Sequence, residues 1–434
     1  SKALIWQDNG YVIRLNGSKY VTIDNLVIEN EGTGANNTYC LLFGTNAENN
    51  VISNNEMIMS KISSTYGYSA YVASLSGTAG NNTTARWTPT SKNSIIGNKM
   101  WNGTTSKSKG PYYGIHLDGY QNTNGWGNAS DYTIKDNEIM HFYRAAIYNY
   151  YGDGNVINDN EVHDSRNGSY VYAIYKYYGN HSATQNMSIS GNEIYDISAN
   201  NGLYGMYNYS NTGQAGNLIN YTDNKIHSLK CAGGSTYGIY LSRSSREMEA
   251  FADVSRNEIY DNESGTTNDY FAGIYSFYHN ETDYTNNLIY NNDASRQEWD
   301  LRLLYNTENV NVANNTLHAT NEADDGVFTL IQQFRTPPDG NINLVNNISH
   351  TSVDSNTFQT QMYVSGAKAS EVNISSNIYI IDIDSIELRS ENTYFDNLNG
   401  IDAWRAESGD ETSRIADPIY ADAANGDYTP TNPG

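Results

Sequence analysis

Five side chains within one stretch of the chain have the types that acid–base chemistry uses: His116, Asp118, His141, Arg144 and Lys176. A histidine, lysine or tyrosine base, with a cationic group to hold a carboxylate, suits proton abstraction from an acidic sugar. Cleavage of a glycosidic bond by water instead needs two carboxylates about 5–10 Å apart. Asp118 with Asp153, or Asp324 with Asp325, are the pairs on offer. If the chain is an enzyme, His116, Asp118, Arg144 and Lys176 are the residues expected to act. None forms a pattern that rises above the polar loops around it, so an ordinary surface role competes with each.

Metal chemistry has weaker footing. Calcium needs six or more converging oxygens. Glu56, Glu138, Glu161, Glu193 and Glu258 recur at one repeat position, with Lys99 and Lys225 interrupting them. A solvated face is the expected role of that column, its lysines relieving repulsion between stacked like charges. Asp382, Asp384 and the stretch from Asp410 to Asp427 could hold ions, with solvated loop as the default. No cofactor is required; a structural calcium ion is the one the sequence leaves room for.

These residues must be positioned by a repeat. The pattern apolar, two residues, Asn, any residue, apolar recurs along the chain. It reads Ile134-Lys-Asp-Asn137-Glu-Ile139, Ile157-Asn-Asp-Asn160-Glu-Val162 and Ile189-Ser-Gly-Asn192-Glu-Ile194, for example. Its asparagines are Asn55, Asn98, Asn137, Asn160, Asn192, Asn224, Asn257, Asn287, Asn315, Asn347 and Asn377, with Asn25 marking a variant first copy. From Asn160 onward they lie 28 to 33 residues apart, a solenoid period too long for hexapeptide coils. The longer earlier spacings imply inserted loops. A second pattern sits between them: Tyr113-Gly-Ile-His-Leu117, Ala145-Ala-Ile-Tyr-Asn149, Tyr172-Ala-Ile-Tyr-Lys176, Tyr204-Gly-Met-Tyr-Asn208, Tyr237-Gly-Ile-Tyr-Leu241 and Ala272-Gly-Ile-Tyr-Ser276.

The repeat predicts an all-β, right-handed parallel β-helix of about twelve coils over residues 1–390, with a loop-rich closing segment over 391–434. Strand alternation places the asparagines inward as a hydrogen-bonded ladder, where Asn also tolerates the left-handed backbone of tight corners. That ladder is structural. Alternation points His116, Tyr148, Tyr175, Tyr207, Tyr240 and Tyr275 outward on successive coils. Two residues on, Asp118, Tyr150, Tyr177, Tyr209, Ser242 and Phe277 form a second column. Strands about 4.7–4.9 Å apart match the rise of a sugar unit in an extended glycan, so the tyrosines are candidate glycan-binding residues. Ring-on-ring stacking that only stabilises the sheet, or burial under loops or another subunit, is the alternative.

The totals agree with a folded solenoid: 38% of residues are hydrophobic, 17% are charged, and 38 are tyrosine. A formal net charge of −23 excludes nucleic-acid binding, which wants a basic face, and disfavours unaided binding of polyanionic glycans. Cys40 and Cys231 are expected to be buried free thiols. No apolar run is long enough to span a membrane, and Ser1 opens no signal peptide. The chain therefore reads as cytoplasmic, as a processed mature form, or as a segment of something longer.

The repeat resembles that of the pectate-lyase-like right-handed β-helix proteins. The opening, Tyr11-Val-Ile-Arg-Leu-Asn-Gly-Ser-Lys-Tyr-Val-Thr-Ile-Asp-Asn-Leu-Val-Ile28, resembles the first coils of very large secreted surface proteins of type IX-secreting bacteria, with Asn25 where Gly is usual. The end, Ala416-Asp-Pro-Ile-Tyr-Ala-Asp-Ala-Ala-Asn-Gly-Asp-Tyr428, resembles their closing segments. The resemblance implies an extracellular or cell-surface location. It fixes no activity, because the fold hosts lyases, hydrolases, adhesins and fibres. The leading expectation is a non-enzymatic segment of a large surface protein (adhesin, stalk or assembly module), with further domains of the same polypeptide, identical subunits or glycans as partners. The alternatives are a secreted polysaccharide lyase or glycoside hydrolase, and a glycan-binding module.

Overall fold

The computed structural model describes residues 2–32, 38–44, 46–60, 67–73, 90–122, 125–127, 129–152, 154–180, 187–212, 218–243, 251–265, 269–305, 308–319, 327–334, 338, 340–351, 359–381, 387–391, 393–415, 420–422 and 427–430. The chain divides into two units. Unit 1 comprises residues 1–232 with 242–244, and unit 2 comprises 233–241 with 245–434.

Each unit is built from coils of three strands, and each strand pairs in parallel with its counterpart in the next coil. In unit 1 a leading strand such as Thr133–Lys135 is followed by a corner, a trailing strand such as Glu138–Met140, and then a tyrosine strand such as Ala145–Tyr150. Leading strands pair with leading strands (Ile134 beside Ile157), trailing with trailing (Ile139 beside Val162), tyrosine with tyrosine (Ile147 beside Ile174). Unit 2 repeats the scheme with Thr282–Thr285, Leu288–Tyr290 and Gln297–Leu304. The chain is a right-handed parallel β-helix with three parallel sheets and about ten turns. That is slightly fewer than the twelve coils expected.

The three-fold repeat of inward apolar residues makes the core. Ile134, Ile139 and Ile147 of one coil are all fully buried, as are Tyr284, Ile289 and Leu301 in unit 2. Each such side chain contributes about 1.5–3 kcal/mol. The tyrosine strands press close to the trailing sheet, which explains the small residue before the central apolar one. A Cβ at Gly114 would lie 2.5 Å from Ile139 Cγ2 and 2.6 Å from the Ala146 carbonyl oxygen.

The asparagine ladder runs through each unit. In unit 1 the amide nitrogen of Asn55 donates to Asn98 Oδ1 at 3.1 Å, Asn98 to Asn137 at 3.0 Å, Asn137 to Asn160 at 2.9 Å, Asn160 to Asn192 at 3.0 Å and Asn192 to Asn224 at 3.0 Å. In unit 2 the rungs are Asn257, Asn287, Asn315, Asn347 and Asn377, 2.9–3.1 Å apart. Each Oδ1 also accepts the backbone N–H of the preceding rung, as Asn160 Oδ1 does from Asn137. The second amide hydrogen reaches a leading-strand carbonyl, as Asn160 does to Ile134. The rungs are therefore close to saturated, which a buried carboxamide needs.

One expectation about the corner is corrected. The left-handed residue is not the rung but the residue before it: Asn54, Gly97, Asp136, Asp159, Gly191 and Asp223 in unit 1, and Arg256, Asn286, Asn314, Asn346 and Ser376 in unit 2. The rung must stay extended to aim its carboxamide along the axis, so its neighbour makes the bend. Asn25 is itself a left-handed residue, and Leu26 occupies the rung position, where its N–H donates to Asn55. Coil geometry continues past residue 391. Arg414–Ile415 pairs in parallel with Ile378–Tyr379, the helix Asn397–Ser408 buries Trp404, and Ser413 Oγ accepts the Asn377 N–H that ends the ladder. Cys40 and Cys231 are buried free thiols, as expected.

Candidate functional site

The outer face of the tyrosine sheet in unit 1 carries the densest arrangement of chemistry-bearing side chains. Strand alternation turns residues 116 and 118 to the same side. Parallel pairing sets His116 beside Tyr148 and Asp118 beside Tyr150, then Tyr148 beside Tyr175 and Tyr150 beside Tyr177, then Tyr175 beside Tyr207 and Tyr177 beside Tyr209. The result is a two-column lattice, four coils long, of one histidine, one carboxylate and six phenols.

The rings contact one another. His116 stacks on Tyr148 with centroids 4.7 Å apart, and Tyr148 on Tyr175 at 4.7 Å; both pairs are inclined by 25°. In the second column Tyr150 stacks on Tyr177 at 5.6 Å and Tyr177 on Tyr209 at 5.2 Å. A flanking row adds Tyr39, Tyr68 and Tyr113, stacked at 5.2 and 5.5 Å, and the pair Tyr172–Tyr204 at 4.9 Å. At Tyr207 the order changes: its ring stands at 89° to Tyr175. Both faces of Tyr148 are thus covered, by His116 and by Tyr175. A sugar could not lie flat on that ring, so the expected sugar stacking is replaced there by ring edges and hydroxyls. Each stacked pair is worth about 0.5–1.5 kcal/mol to the sheet itself.

Electrostatics follow from this packing. Burial beneath Tyr68, Tyr113 and Tyr148 pushes the His116 imidazole down to about 3, so it is neutral near pH 7. Burial raises the Tyr148 and Tyr150 phenols, and the neighbouring phenols and Asp118 carboxylate add to this. Arg144 lies at the margin, its guanidinium 4.9 Å from the Tyr172 ring centre and donating to the Tyr170 carbonyl at 3.0 Å.

Lys176 does not join the lattice. It alternates inward from Tyr175, is fully buried, and donates its ammonium hydrogens to the carbonyl oxygens of Gly152 and Tyr178. The geometry gives it the task of stapling a turn. His141 is also buried, with Nδ1 2.7 Å from Asn102 Oδ1, away from His116. Asp153, Asp324, Asp325, Asp382 and Asp384 lie outside the described residues. Asp410 takes a turn role, its Oδ1 accepting the N–H groups of Thr412 and Ser413. In unit 2, Tyr240 and Tyr275 stack at 4.9 Å, and Arg302 lies 5.5 Å from the Tyr275 ring centre and 3.7 Å from that of Trp299.

The glutamate column is the expected solvated face, with Glu161 and Glu193 exposed, and it carries a network of charge partners. Lys99 Nζ meets Glu138 Oε1 at 2.8 Å, and Tyr195 donates to Glu161. His163 Nε2 lies 3.6 Å from Glu138 and 3.9 Å from Glu161, while its Nδ1 meets Asp164 at 2.9 Å. Among the described residues no group of three or more His, Cys, Asp or Glu side chains could hold a metal ion. Likewise, no helix among them is long and apolar enough to cross a membrane.

Sequence reasoning missed the flanking Tyr39, Tyr68 and Tyr113 row, although an aromatic three residues before the outward one recurs in the second motif. It also missed a second asparagine ladder, in which Asn50 donates to Asn93 Oδ1 at 2.9 Å and Asn155 Oδ1 accepts the Tyr132 N–H.

No family model and no curated protein matches the chain. Among solved structures, the A-module of the mannuronan C-5 epimerase AlgE4 from Azotobacter vinelandii is similar over 96% of this chain and 91% of its own, at 12% identity and a TM-score of 0.38. A mutant of the periplasmic alginate epimerase AlgG is similar over 95% of this chain and 84% of its own, at 14% identity and 0.29. DFA-IIIase from Arthrobacter chlorophenolicus A6, in complex with DFA-III, covers 96% and 84%, at 12% identity and 0.25. At these identities and scores the likeness fixes no activity; the fold rests on the strand pairing.

Proposed function

We propose that this chain is an extracellular carbohydrate-active β-helix protein that holds an extended glycan along the tyrosine lattice of unit 1. The observation that carries the reading is the in-register lattice itself. Six half-buried phenols repeat at about the sugar rise over three coils, next to a neutral imidazole and a carboxylate on the coil before. Phenol hydroxyls both donate and accept, which suits a hydroxyl-rich chain. The His116–Asp118 end is where proton transfer to or from a bound sugar would take place, with Asp118 as base and Tyr148 or Tyr150 as the phenol beside it. Arg144 would serve orientation, because its guanidinium is already engaged by Tyr170 and Tyr172.

A non-enzymatic surface module is the second reading. It is favoured by rings that satisfy one another and by a lysine turned into the core. A panel of neutral and acidic polysaccharides, assayed for binding and for released product, separates the two. The first reading expects binding that falls in Tyr148→Phe/Tyr175→Phe, with product release that falls in Asp118→Asn. Binding without product release supports the module. Neither binding nor product on a broad panel overturns the glycan reading.

A further inference from the structure

The strand Gln297–Leu304 of unit 2 carries two acidic side chains into the coil interior. Glu298 and Asp300 alternate with Trp299, which stacks on Tyr270 at 4.9 Å on the outer face. Both carboxyls are fully buried, and their oxygens have no hydrogen-bond partner among the described residues. The coil before sets Phe271 beside Glu298; the coil after sets Val327 beside Glu298 and Thr329 level with Asp300. Equivalent inward positions hold uncharged residues: Val171 and Ala173 in unit 1, and the buried amides Gln359 and Gln361 two coils on in unit 2.

Among the described residues the adjoining strands supply no counter-charge, and Arg296, two residues before Glu298, is held on the ring and hydroxyl of Tyr270. Neither adjoining tyrosine strand, Tyr270–Phe277 or Val327–Gln333, contains a charged residue. Arg302, on the same strand, points outward onto Trp299. Of the leading and trailing strands that close these coils, Ala252–Ser255 and Glu258–Tyr260 contribute Asp253, Glu258 and Tyr260; Thr282–Thr285 and Leu288–Tyr290 contribute Asp283, Tyr284 and Tyr290; Val310–Ala313 and Thr316–Ala319 contribute only His318. Asp283 is exposed, Tyr290 donates to Glu258, and His318 stacks on His350 at 4.0 Å. Asp293, just beyond the trailing strand, is a further negative charge acting on Glu298.

We infer that the Glu298–Asp300 pair makes unit 2 proton-sensitive: its coil is closed while both carboxyls are neutral and opens as they ionise. Two uncompensated charges cannot remain in a dry coil interior, so the carboxyls must hold protons or the strand must expose them. Burial, with the charge of Asp300 acting on Glu298, keeps both well above the usual carboxylate range. The sign follows. Groups raised in the folded state contribute stability in full below their unfolded values of 3.8–4.5, and lose it as pH rises toward the folded ones. His318, pushed down to about 3 by burial and by His350, works in the opposite direction, but only below its unfolded value of 6.5. Between pH 7 and 9 the acid pair therefore acts without opposition from His318.

The test is amide hydrogen exchange of the full chain at pH 7, 8 and 9, corrected for intrinsic exchange, read on peptides covering Gln297–Leu304. Protection in the wild type should fall with rising pH, by up to about tenfold per pH unit for each carboxyl that is protonated in the closed coil and ionised in the open one, and by up to twice that exponent for both. E298Q/D300N should be flat and should hold at pH 9 the protection that the wild type shows at pH 7. E298Q alone should retain part of the slope. A flat wild-type profile, a double variant as steep as the wild type, or a double variant that fails to fold overturns the inference. Millimolar calcium chloride abolishing the wild-type slope would also overturn it, in favour of a bound cation.

Discussion

Replacing Asn192 by alanine removes one interior rung, and the structure sets the size of the loss. Asn192 Oδ1 accepts the Asn160 N–H at 3.1 Å and its amide N–H at 3.0 Å, and Asn192 Nδ2 donates to Asn224 Oδ1 at 3.0 Å and to the Ile157 carbonyl at 2.9 Å. Asn224 Oδ1 keeps the Asn192 backbone N–H at 3.0 Å. Asn160 Nδ2 keeps the Ile134 and Asn158 carbonyls at 3.0 Å, but the Asn160 backbone N–H is left buried without an acceptor and the Ile157 carbonyl loses its Asn192 donor. At about 1–3 kcal/mol for the orphaned N–H and about 0.5–1.5 for the lost bond to the Ile157 carbonyl, Asn192→Ala should cost roughly 2–4 kcal/mol, a large share of the about 5–15 kcal/mol typical of a domain. Asn192→Asp should not rescue it, because a second acceptor would face the Ile157 carbonyl and Asn224 Oδ1. The control is Asn200→Ala, whose amide donates to Asn167 O from an exposed position, with an expected cost below about 1 kcal/mol. Urea unfolding followed by circular dichroism measures both. A loss under about 1 kcal/mol for Asn192→Ala, or equal losses for both variants, would refute the ladder as a main stabiliser of unit 1.

Other outcomes follow from the same geometry. Burial holds the His116 imidazole at about 3 against 6.5 unfolded, so the unfolded chain binds the extra proton and stability falls as pH drops below about 6.5. Urea midpoints of wild type and His116→Phe should diverge by roughly 3 kcal/mol at pH 4, and parallel profiles would contradict the burial. Gly114→Ala pushes a methyl into Ile139 and the Ala146 carbonyl, so it should cost about 1–3 kcal/mol in thermal melts; an unchanged Tm would contradict the close approach. Lys176→Met should lower stability by about 1–3 kcal/mol through two orphaned carbonyls. If it left stability intact and abolished product release, Lys176 would be an acid–base residue after all.

Much of this architecture was legible because the repeat states each rule many times. Eleven asparagines at one position identified the rungs, and alternation around Ile259 or Tyr175 set inside from outside. The corner was misread for a local reason. Asn satisfies both the rung and the left-handed bend, and in Asn54-Asn55 or Asn346-Asn347 two asparagines stand side by side, so residue type could not separate the tasks. Alternation already turned Lys176 inward with Asn149 and Asn208, yet chemical type drew it into the catalytic set. Outward direction alone did not reveal that His116, Tyr148 and Tyr175 cover one another, because ring orientation depends on neighbouring coils. Glu298 and Asp300 occupy positions held by Val171 and Ala173 in unit 1, and that mismatch was the available signal.

The glycan reading is tested most directly by titrating oligosaccharides that bind the wild type against Tyr148→Phe/Tyr175→Phe. That variant keeps the stacked rings, and so the fold, but removes two hydroxyls from the lattice. Isothermal titration should show affinity falling by about tenfold or more, at about 0.5–1.5 kcal/mol for each lost hydrogen bond, with thermal stability unchanged. Unchanged affinity in a folded variant would mean that the tyrosine lattice only holds the sheet together and that the glycan is held elsewhere.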